Sequence, residues 1–401
     1  MNVNELRKYF PPLNDETLVY LDNAASSLKP TVVINAINDY YLNYGCNVSR
    51  GTYKISYDAT EIIEEARKKI AKFINASPEE IVFTKGASDS LNMIARCYGS
   101  LLENGDEIVT SELEHHSNFL PWLNVKKEKN LEIRFIELTK EGRITLENFK
   151  NVINDKTKVV VLTHVSNVLG YITPIKEITS IAHKHNAIVV LDVAQSISHL
   201  KVDVKDLDVD FLGFSFHKMM GPTGIGVMFG KKELLNKMPP AEFGGDMNDN
   251  VDKDQVTYKE IPHKFETGTP AIAEIFGAGA AIDFLNKINY LELEDYVVGL
   301  KNYTMNKLKK IDGITIYNET AETGIIDFNI NNVHAHDSVT YFSDKNICLR
   351  AGHHCAQLLV KWLKVPSTLR ASFYFYNTYE ECDKFVAAVK DAVKFFQEVG
   401  F

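Results

Sequence analysis

The chain has 401 residues, of which 45% are hydrophobic and 24% are charged, and its formal net charge is −9. The length suggests two domains, or one large domain with a smaller one appended, and the acidic balance argues against a nucleic-acid partner. The five cysteines include no CxxC pair, so the sequence predicts neither a disulfide framework nor a zinc site.

The N-terminal segment predicts no export. Residues 1–12 include charged side chains and lack the apolar region of a signal peptide. No later segment approaches the ~18 consecutive apolar residues that a membrane span needs. We therefore expect a cytoplasmic protein with no membrane partner.

Short β-rich runs alternate with helical stretches along the first two thirds of the chain. Apolar spacings of three and four residues predict helices, at 61–73, 88–98 and 175–185. Short apolar runs rich in β-branched residues predict strands, at 81–83, 107–109, 133–136, 159–162 and 188–191. This alternation is typical of βαβ units, so we predict an α/β domain with a mostly parallel sheet flanked by helices.

Beyond about residue 272 the pattern changes to longer helical periodicity. A short strand is predicted at 325–330 and a terminal helix at 379–399. These elements predict a smaller α+β domain. We expect the large domain to span 15–290 and the small domain to combine 1–14 with 291–401.

Lys218 follows an apolar run and stands beside Ser215 and His217. A lysine held at a strand end suits a Schiff base to an aldehyde cofactor. Asp192 ends another apolar run, with Gln195 close behind, and its carboxylate could keep a pyridinium nitrogen protonated. These are the two electronic contacts that pyridoxal phosphate (PLP) needs. Either residue alone is more often a solvated loop residue, but ligands of open α/β sheets gather at such strand ends, so the pair predicts a PLP enzyme.

Three other segments place polar side chains at predicted strand ends. Ser88 begins a helix, where free N–H groups could bind a phosphate or the hydroxyl could simply cap the helix. His115 could lie flat on a cofactor ring, whereas a metal role lacks a third ligand at suitable spacing. Asn167 could donate to the cofactor ring oxygen or a substrate carboxylate, or it could form a turn.

The loop around Cys355 gives the second strong signal. Its thiol stands beside His353, His354 and Arg350, a setting that favours the thiolate needed for nucleophilic sulfur chemistry. Consecutive side chains on an extended loop diverge, so a metal site there is disfavoured. Arg370 could clamp a substrate carboxylate through its planar fork, with a surface ion pair as the alternative.

Several motifs, in the same order along nearly the whole chain, resemble the class-V, fold-type-I PLP enzymes. The resemblance is closest to the group II, SufS-type cysteine desulfurases and selenocysteine lyases. Its motifs are residues 20–25, 114–118, the segments around 192 and 218, and residues 265–270, 350–355 and 370–378.

The resemblance implies a role for each matching residue. Lys218 would form the Schiff base, Asp192 would pair with the ring nitrogen, His115 would stack on the ring and Gln195 would contact the phenolic oxygen. Further cofactor contacts are implied for Ala87, Ser88, Asn167, Ser215, His217 and, across a homodimer interface, Thr269. Cys355 would accept the sulfur. Substrate contacts are implied for Arg370, Asn167, Ala25, Arg350 and His353.

The resemblance also implies the reaction. L-cysteine, or alternatively L-selenocysteine, would be converted to L-alanine, and a persulfide on Cys355 would pass to a SufE- or SufU-like acceptor for iron–sulfur or other sulfur-cofactor biosynthesis. Rival activities are selenocysteine lyase or another class-V aminotransferase or β-lyase. A dinucleotide-binding module or a non-catalytic sulfur-carrier scaffold is the rival from another class, although no GxGxxG follows the early strands.

Three features depart from the group II pattern. Ser49 and Tyr53 stand where many members carry histidines. Ala87 stands where a second hydroxyl is common, and Leu358 replaces the usual proline. These changes bear on acceptor docking, proton relays and one phosphate contact, and they leave the expected activity unchanged.

Overall fold

The computed structural model describes residues 3–400. The strands are β1 (Val19–Tyr20), β2 (Ile81–Thr84), β3 (Glu107–Ser111), β4 (Glu132–Ile136), β5 (Thr157–Thr163), β6 (Ile188–Asp192), β7 (Phe211–Ser215), β8 (Gly226–Gly230), β9 (Asn248–Val251), β10 (Val256–Tyr258), β11 (Ile314–Ile316), β12 (Ile325–Ile330), β13 (Ile347–Cys348), β14 (Arg350–Gly352) and β15 (Thr368–Ser372).

The α-helices are α1 (Val3–Arg7), α2 (Thr31–Asp39), α3 (Lys54–Phe73), α4 (Ala87–Gly99), α5 (His116–Lys129), α6 (Leu146–Lys150), α7 (Ile175–Lys184), α8 (Val204–Leu207), α9 (Lys232–Lys237), α10 (Ile272–Ile288), α11 (Tyr290–Leu308), α12 (Ala335–Ser343), α13 (Gln357–Trp362) and α14 (Tyr379–Glu398). Among residues 3–400, no helix combines the length and the apolar character that crossing a membrane requires.

A seven-stranded sheet, in the order β2-β8-β7-β6-β5-β3-β4, forms the centre of the fold. Strands β3 to β7 are parallel, whereas β8 runs antiparallel to both β2 and β7. The connection from β7 to β8 is too short for a crossover, so the chain must reverse there. Strands β6, β7 and β8 are buried along their whole length, as expected where helices cover both faces. The predicted mostly parallel sheet is confirmed.

The five strands predicted between residues 81 and 191 all lie within longer observed strands, β2 to β6. The register aligns their ends, because Thr163 of β5 lies opposite Asp192 of β6, which lies opposite Gly213 of β7. Loops that leave these strands therefore meet at one edge of the sheet. This edge receives the segments in which sequence analysis found its candidate residues.

A second sheet of four antiparallel strands, β11-β12-β15-β14, lies in the C-terminal part of the chain. It contains the predicted strand 325–330, and α14 begins at a capping box in which Thr378 and Glu381 exchange side-chain and backbone hydrogen bonds. The short strand β1 pairs in parallel with β13. The division into domains at residue 290 stays a prediction, and Met1, Asn2 and Phe401 lie outside the described residues.

A buried ion pair connects helix α3 to the loop that precedes α10. The Arg67 guanidinium, on α3, donates to both carboxylate oxygens of Glu266, at 2.8 and 3.0 Å. It also donates to the carbonyl of Ile81 at 2.7 Å, and its side chain is 3% exposed. Burial alone would raise the pKa of Glu266, but the Arg67 charge and hydrogen bonds lower that pKa to about 2. The pair therefore stabilises the fold only while Glu266 is ionised.

We expect Arg67→Met to destabilise the protein by about 3 kcal/mol at neutral pH, because it leaves a buried carboxylate without its cation. The urea midpoint of unfolding would measure the effect, with Lys68→Met as the exposed control. The folded pKa of Glu266 is depressed, so the pair's contribution is present above pH 4.5 and is lost as the pH falls toward about 2. A variant as stable as the wild type at neutral pH would contradict this prediction.

Candidate active site

A cavity of about 340 Å³ opens at the carboxyl edge of the central sheet, and side chains of the small sheet close it. All but two of the predicted site residues line it. These are Ala25, Ala87, Ser88, His115, Asn167, Asp192, Gln195, Ser215, His217, Lys218, Arg350, Cys355 and Arg370. The two others, Thr269 and His353, are exposed and do not line this cavity. Their predicted contacts stay predictions.

Lys218 and Asp192 face the cavity from adjacent strands. Asp192 is the last residue of β6, and Lys218 ends the short 3-10 turn that follows β7. Removal from water lowers the pKa of Lys218 to about 8, against the opposing charge of Asp192. Burial raises the pKa of Asp192, while the backbone N–H of Ala194 and the Lys218 charge lower it. An amine that loses its proton near neutrality thus shares the cavity with a buried acid.

His115 caps helix α5 and presents a neutral ring to the cavity. Its Nδ1 accepts a hydrogen bond from the backbone N–H of Ser117 at 3.1 Å, which leaves the ring proton on Nε2. Burial and the nearby Lys218 charge lower the pKa of His115 to about 3. The ring is therefore uncharged at neutral pH and suits stacking better than proton transfer.

The start of α4 forms a polar pocket in the same wall. The helix begins at Ala87, whose N–H donates to the Ser215 hydroxyl at 2.6 Å. The hydroxyls of Ser88 and Ser117 lie 2.5 Å apart beside it. Free backbone N–H groups and hydroxyls at the start of a 13-residue helix suit an anion. Ser117 was not singled out from the sequence, although it lies in the segment that contains His115.

Two predicted amides already have main-chain partners. Gln195 donates its Nε2 to the carbonyl of Ala24 at 2.7 Å. Asn167 donates its Nδ2 to the carbonyl of His354, also at 2.7 Å. Each amide nitrogen carries a second hydrogen, so Gln195 and Asn167 can each still donate to a cofactor or substrate.

The Cys355 loop is held in an unusual conformation. His354 and Cys355 both have left-handed backbones, with φ of 52° and 56°. Cys355 is exposed, and its carbonyl accepts from the backbone N–H of His116 at 2.7 Å. A left-handed backbone costs conformational energy in residues other than glycine, so contacts such as this hydrogen bond must hold the loop in place. The loop presents its thiol at the cavity mouth.

The two histidines before the thiol have different surroundings. His354 is buried and lines the cavity, and its Nε2 lies 2.9 Å from the Thr368 hydroxyl. His353 is exposed, and its Nε2 lies 3.0 Å from the carbonyl of Pro366. A substrate contact was predicted for His353 and none for His354. Both histidines are close to Cys355 in sequence, and no sequence feature indicates which of the two lines the cavity.

Arg370 lines the cavity and has one donor without a hydrogen-bond partner. Its side chain is 2% exposed, and one Nη donates to the carbonyl of Asn167 at 2.7 Å. The other Nη lies 3.4 Å from Asp22 Oδ1, while Nε is buried without a hydrogen-bond partner. A buried guanidinium with a free N–H fits a carboxylate. Asp22 was not singled out from the sequence, although it lies in the motif at 20–25.

Two other expectations concern residues away from this cavity. Ser49 and Tyr53 are exposed and do not line it. Within residues 3–400, no three His, Cys, Asp or Glu side chains are grouped so as to hold a metal ion. The other four cysteines were expected to be small core residues; Cys97 and Cys382 are buried, whereas Cys46 and Cys348 are half-buried.

The chain is similar to known proteins over its whole length. The aminotransferase class-V family model matches residues 19–385. A probable cysteine desulfurase of Halalkalibacterium halodurans is 48% identical over 405 residues, with 100% of both chains covered. A probable cysteine desulfurase of Staphylococcus aureus strain COL is 47% identical, with 98% of each chain covered.

Solved structures agree with this likeness. The apo cysteine desulfurase of Thermococcus onnurineus NA1 superposes with a TM-score of 0.94 at 39% identity, covering 98% of this chain and 99% of that one. The cysteine desulfurase CsdA of Escherichia coli superposes with a TM-score of 0.93 at 36% identity and the same coverage. The chain therefore belongs to the aminotransferase class-V family, in the group formed by the cysteine desulfurases.

Proposed function

We propose that the protein is a PLP-dependent cysteine desulfurase that converts L-cysteine to L-alanine and takes the sulfur onto Cys355. One observation carries the proposal: an amine of lowered pKa, Lys218, and a buried acid, Asp192, share a cavity with an exposed thiol on the facing loop. An electron-sink cofactor needs the first two groups, and sulfur transfer needs the third.

The cavity fits pyridoxal phosphate. Lys218 would bind the aldehyde, and the Asp192 carboxylate would hold the proton of the ring nitrogen. The neutral His115 ring would cover one face, while Ser88 at the start of α4 and Ser215 at the end of β7 would hold the phosphate. When bound, the cofactor supplies an electron sink that stabilises negative charge at the substrate α-carbon.

The chain's own residues would orient the substrate. Arg370 Nε is a buried donor without a partner, so a substrate carboxylate would satisfy it. Asn167 lies beside it and links it to the Cys355 loop, because its carbonyl accepts from Arg370 and its amide donates to His354. Carboxylate binding and thiol position are therefore coupled through one residue, since Asn167 accepts at its backbone carbonyl and donates from its side-chain amide.

Lys218 and Cys355 would carry the transfer. The neutral Lys218 amine removes and returns protons at the substrate carbons. The Cys355 thiolate attacks the substrate sulfur, so that a sulfur–sulfur bond forms as the carbon–sulfur bond breaks. The carbon takes up a proton and becomes the methyl group of alanine, and the enzyme retains a persulfide.

The proposal also includes the partner chains and the cellular location of the protein. Five exposed large apolar side chains lie between residues 41 and 57, which supports a homodimer. They are Tyr41, Leu42, Tyr53, Ile55 and Tyr57. The contact of Thr269 across the dimer interface is part of the same proposal. The exposure of Cys355 supports transfer to a SufE- or SufU-like acceptor for iron–sulfur or other sulfur-cofactor synthesis. Free thiols in all five cysteines suit the reducing cytoplasm.

The test is alanine release from L-cysteine by the holoenzyme, measured together with the mass of the Cys355 peptide. We expect alanine, and a peptide heavier by one sulfur atom when no reductant or acceptor is present. Added reductant should release sulfide and raise the alanine yield. Alanine formation without a modified Cys355 peptide would contradict the proposed sulfur acceptor.

Uptake of the cofactor should depend on pH. Only the neutral amine of Lys218 attacks an aldehyde, and its pKa is lowered to about 8. We therefore expect the rate of PLP binding to the apoenzyme to rise with pH and to level off above about pH 8. Stopped-flow absorbance would measure it. A rate that is flat from neutral pH upward would show that the amine is already deprotonated below that range.

A further inference from the structure

Asp22 is the acid that faces both guanidinium groups of the cavity. Its Oδ1 lies 3.4 Å from Arg370 Nη2, and its Oδ2 lies 3.2 Å from Arg350 Nη1. The Asp22 side chain is 19% exposed and lines the cavity, whereas Arg350 is 46% exposed at the cavity edge. One carboxylate thus spans the two cations that would meet an incoming amino acid.

The backbone around Asp22 is fixed to the strand that carries Arg370. The Leu21 carbonyl accepts from the N–H of Ser372 at 2.7 Å, and the Ala24 N–H donates to the Ser372 hydroxyl at 2.9 Å. Asn23 Nδ2 donates to the Ser372 carbonyl at 2.7 Å. Ser372 is the last residue of β15, so Asp22 is held from both sides at the end of that strand. Hydrogen bonds to strand β15 therefore fix the position of Asp22.

The small sheet makes this counter-charge necessary. Arg350 of β14 lies directly opposite Arg370 of β15, and side chains at opposite positions share one face of an antiparallel pair. Like charges placed so are destabilising. Asp327, which lies opposite Arg370 on β12, is fully buried, and burial raises its pKa well above the usual carboxyl range. Asp22, whose carboxylate lies within 3.4 Å of both guanidinium groups, is therefore the acid placed to offset one of the two positive charges.

We propose that Asp22 is a specificity-determining residue: it offsets one of the two guanidinium charges, so that the site favours amino acids with a single carboxylate over those with a second anionic group. The α-carboxylate pairs with the Arg370 guanidinium, which lines the cavity. A second anion, on the side chain of the amino acid, then meets the Asp22 charge instead of an unpaired cation. The inference deepens the proposed function and rests on its assignment of Arg370 to the substrate carboxylate.

The test compares L-aspartate with L-alanine as ligands of the holoenzyme, with binding followed by the change in cofactor absorbance. Asp22→Asn should tighten L-aspartate about tenfold more than L-alanine, because it removes a nearby negative charge in a site partly shielded from water. Asp22→Glu should keep the wild-type ratio of dissociation constants. The ratio of kcat/KM for L-cysteine sulfinate over L-cysteine should rise in Asp22→Asn as well.

One further variant serves as a control, and another repeats the test with a different uncharged side chain. Asp283→Asn removes an exposed carboxylate that pairs with Lys69 far from the cavity lining, and it should leave the ratio unchanged. Asp22→Ser is a second uncharged replacement and should shift the ratio as Asp22→Asn does, should the latter fold poorly. Melting temperatures identify variants that have lost their structure.

Equal changes in the two dissociation constants, in either direction, would overturn the inference and leave Asp22 a purely structural ion pair. A wild type that binds both amino acids but releases no alanine from L-cysteine would refute the proposed function, while the binding ratio would still decide the role of Asp22. If neither amino acid binds, the carboxylate site and the inference both fail.

Discussion

Replacing Lys218 by alanine should yield a colourless protein that releases no measurable alanine from L-cysteine. The amine is the group in the cavity that can bond to an aldehyde, so we expect activity to fall by at least about a thousandfold. Absorbance of the purified protein after incubation with PLP would measure the first effect. Borohydride treatment of the wild type should fix a pyridoxyl group on the peptide that contains Lys218.

The matched control is Lys231→Ala, since Lys231 follows β8 and pairs with Asp208 and Asp210 away from the cavity. It should keep the yellow absorbance and the activity. Suppose instead that Lys218→Ala stays yellow and that borohydride fixes the cofactor elsewhere. The anchoring lysine would then be another residue, and the assignment of the site would be wrong.

Replacing Cys355 by alanine should have an equally large but different effect. The variant should keep the cofactor absorbance, because the thiol lies on the loop that faces Lys218 and Asp192 and does not hold the ring. Alanine release from L-cysteine should fall by at least about a hundredfold, because no nucleophile remains to accept the sulfur. Colorimetric alanine assays under single and multiple turnover would measure it.

Cys348→Ala is the control, because that half-buried cysteine is close in sequence but does not line the cavity. Its alanine release should match the wild type. Undiminished cysteine turnover in Cys355→Ala would exclude the persulfide role. If L-selenocysteine turnover alone survived the substitution, the rival assignment as a selenocysteine lyase would gain support, because selenium leaves carbon more readily without a thiolate.

The central sheet could be predicted from local patterns because its strands are short apolar runs between amphipathic helices. Strand β6, with five consecutive buried residues, shows the pattern clearly. The antiparallel strand β8 could not be predicted in the same way, because an apolar run has no direction. The short connection after Lys218 decides its direction, and only the folded chain shows that β2 pairs with it.

The candidate site was predictable where side-chain chemistry is unusual. A lysine and an aspartate at strand ends, and a thiol beside histidines, are rare enough to stand out in a sequence. Asp22 did not stand out, because an acid near a chain terminus is ordinary and its meaning depends on Arg350 and Arg370, more than 300 residues away. His353 and His354 are equivalent in sequence, and only their burial distinguishes them.

The pairing of β1 with β13, and of Asp22 with Ser372, has a consequence for synthesis on the ribosome. The strands that bring Lys218 and Asp192 together lie within residues 81–230 and can associate once that stretch has emerged. The arginine side of the cavity must wait for β14 and β15, which translation completes near the end. The residues that would bind the cofactor would thus come together during synthesis before the residues that would bind the substrate carboxylate.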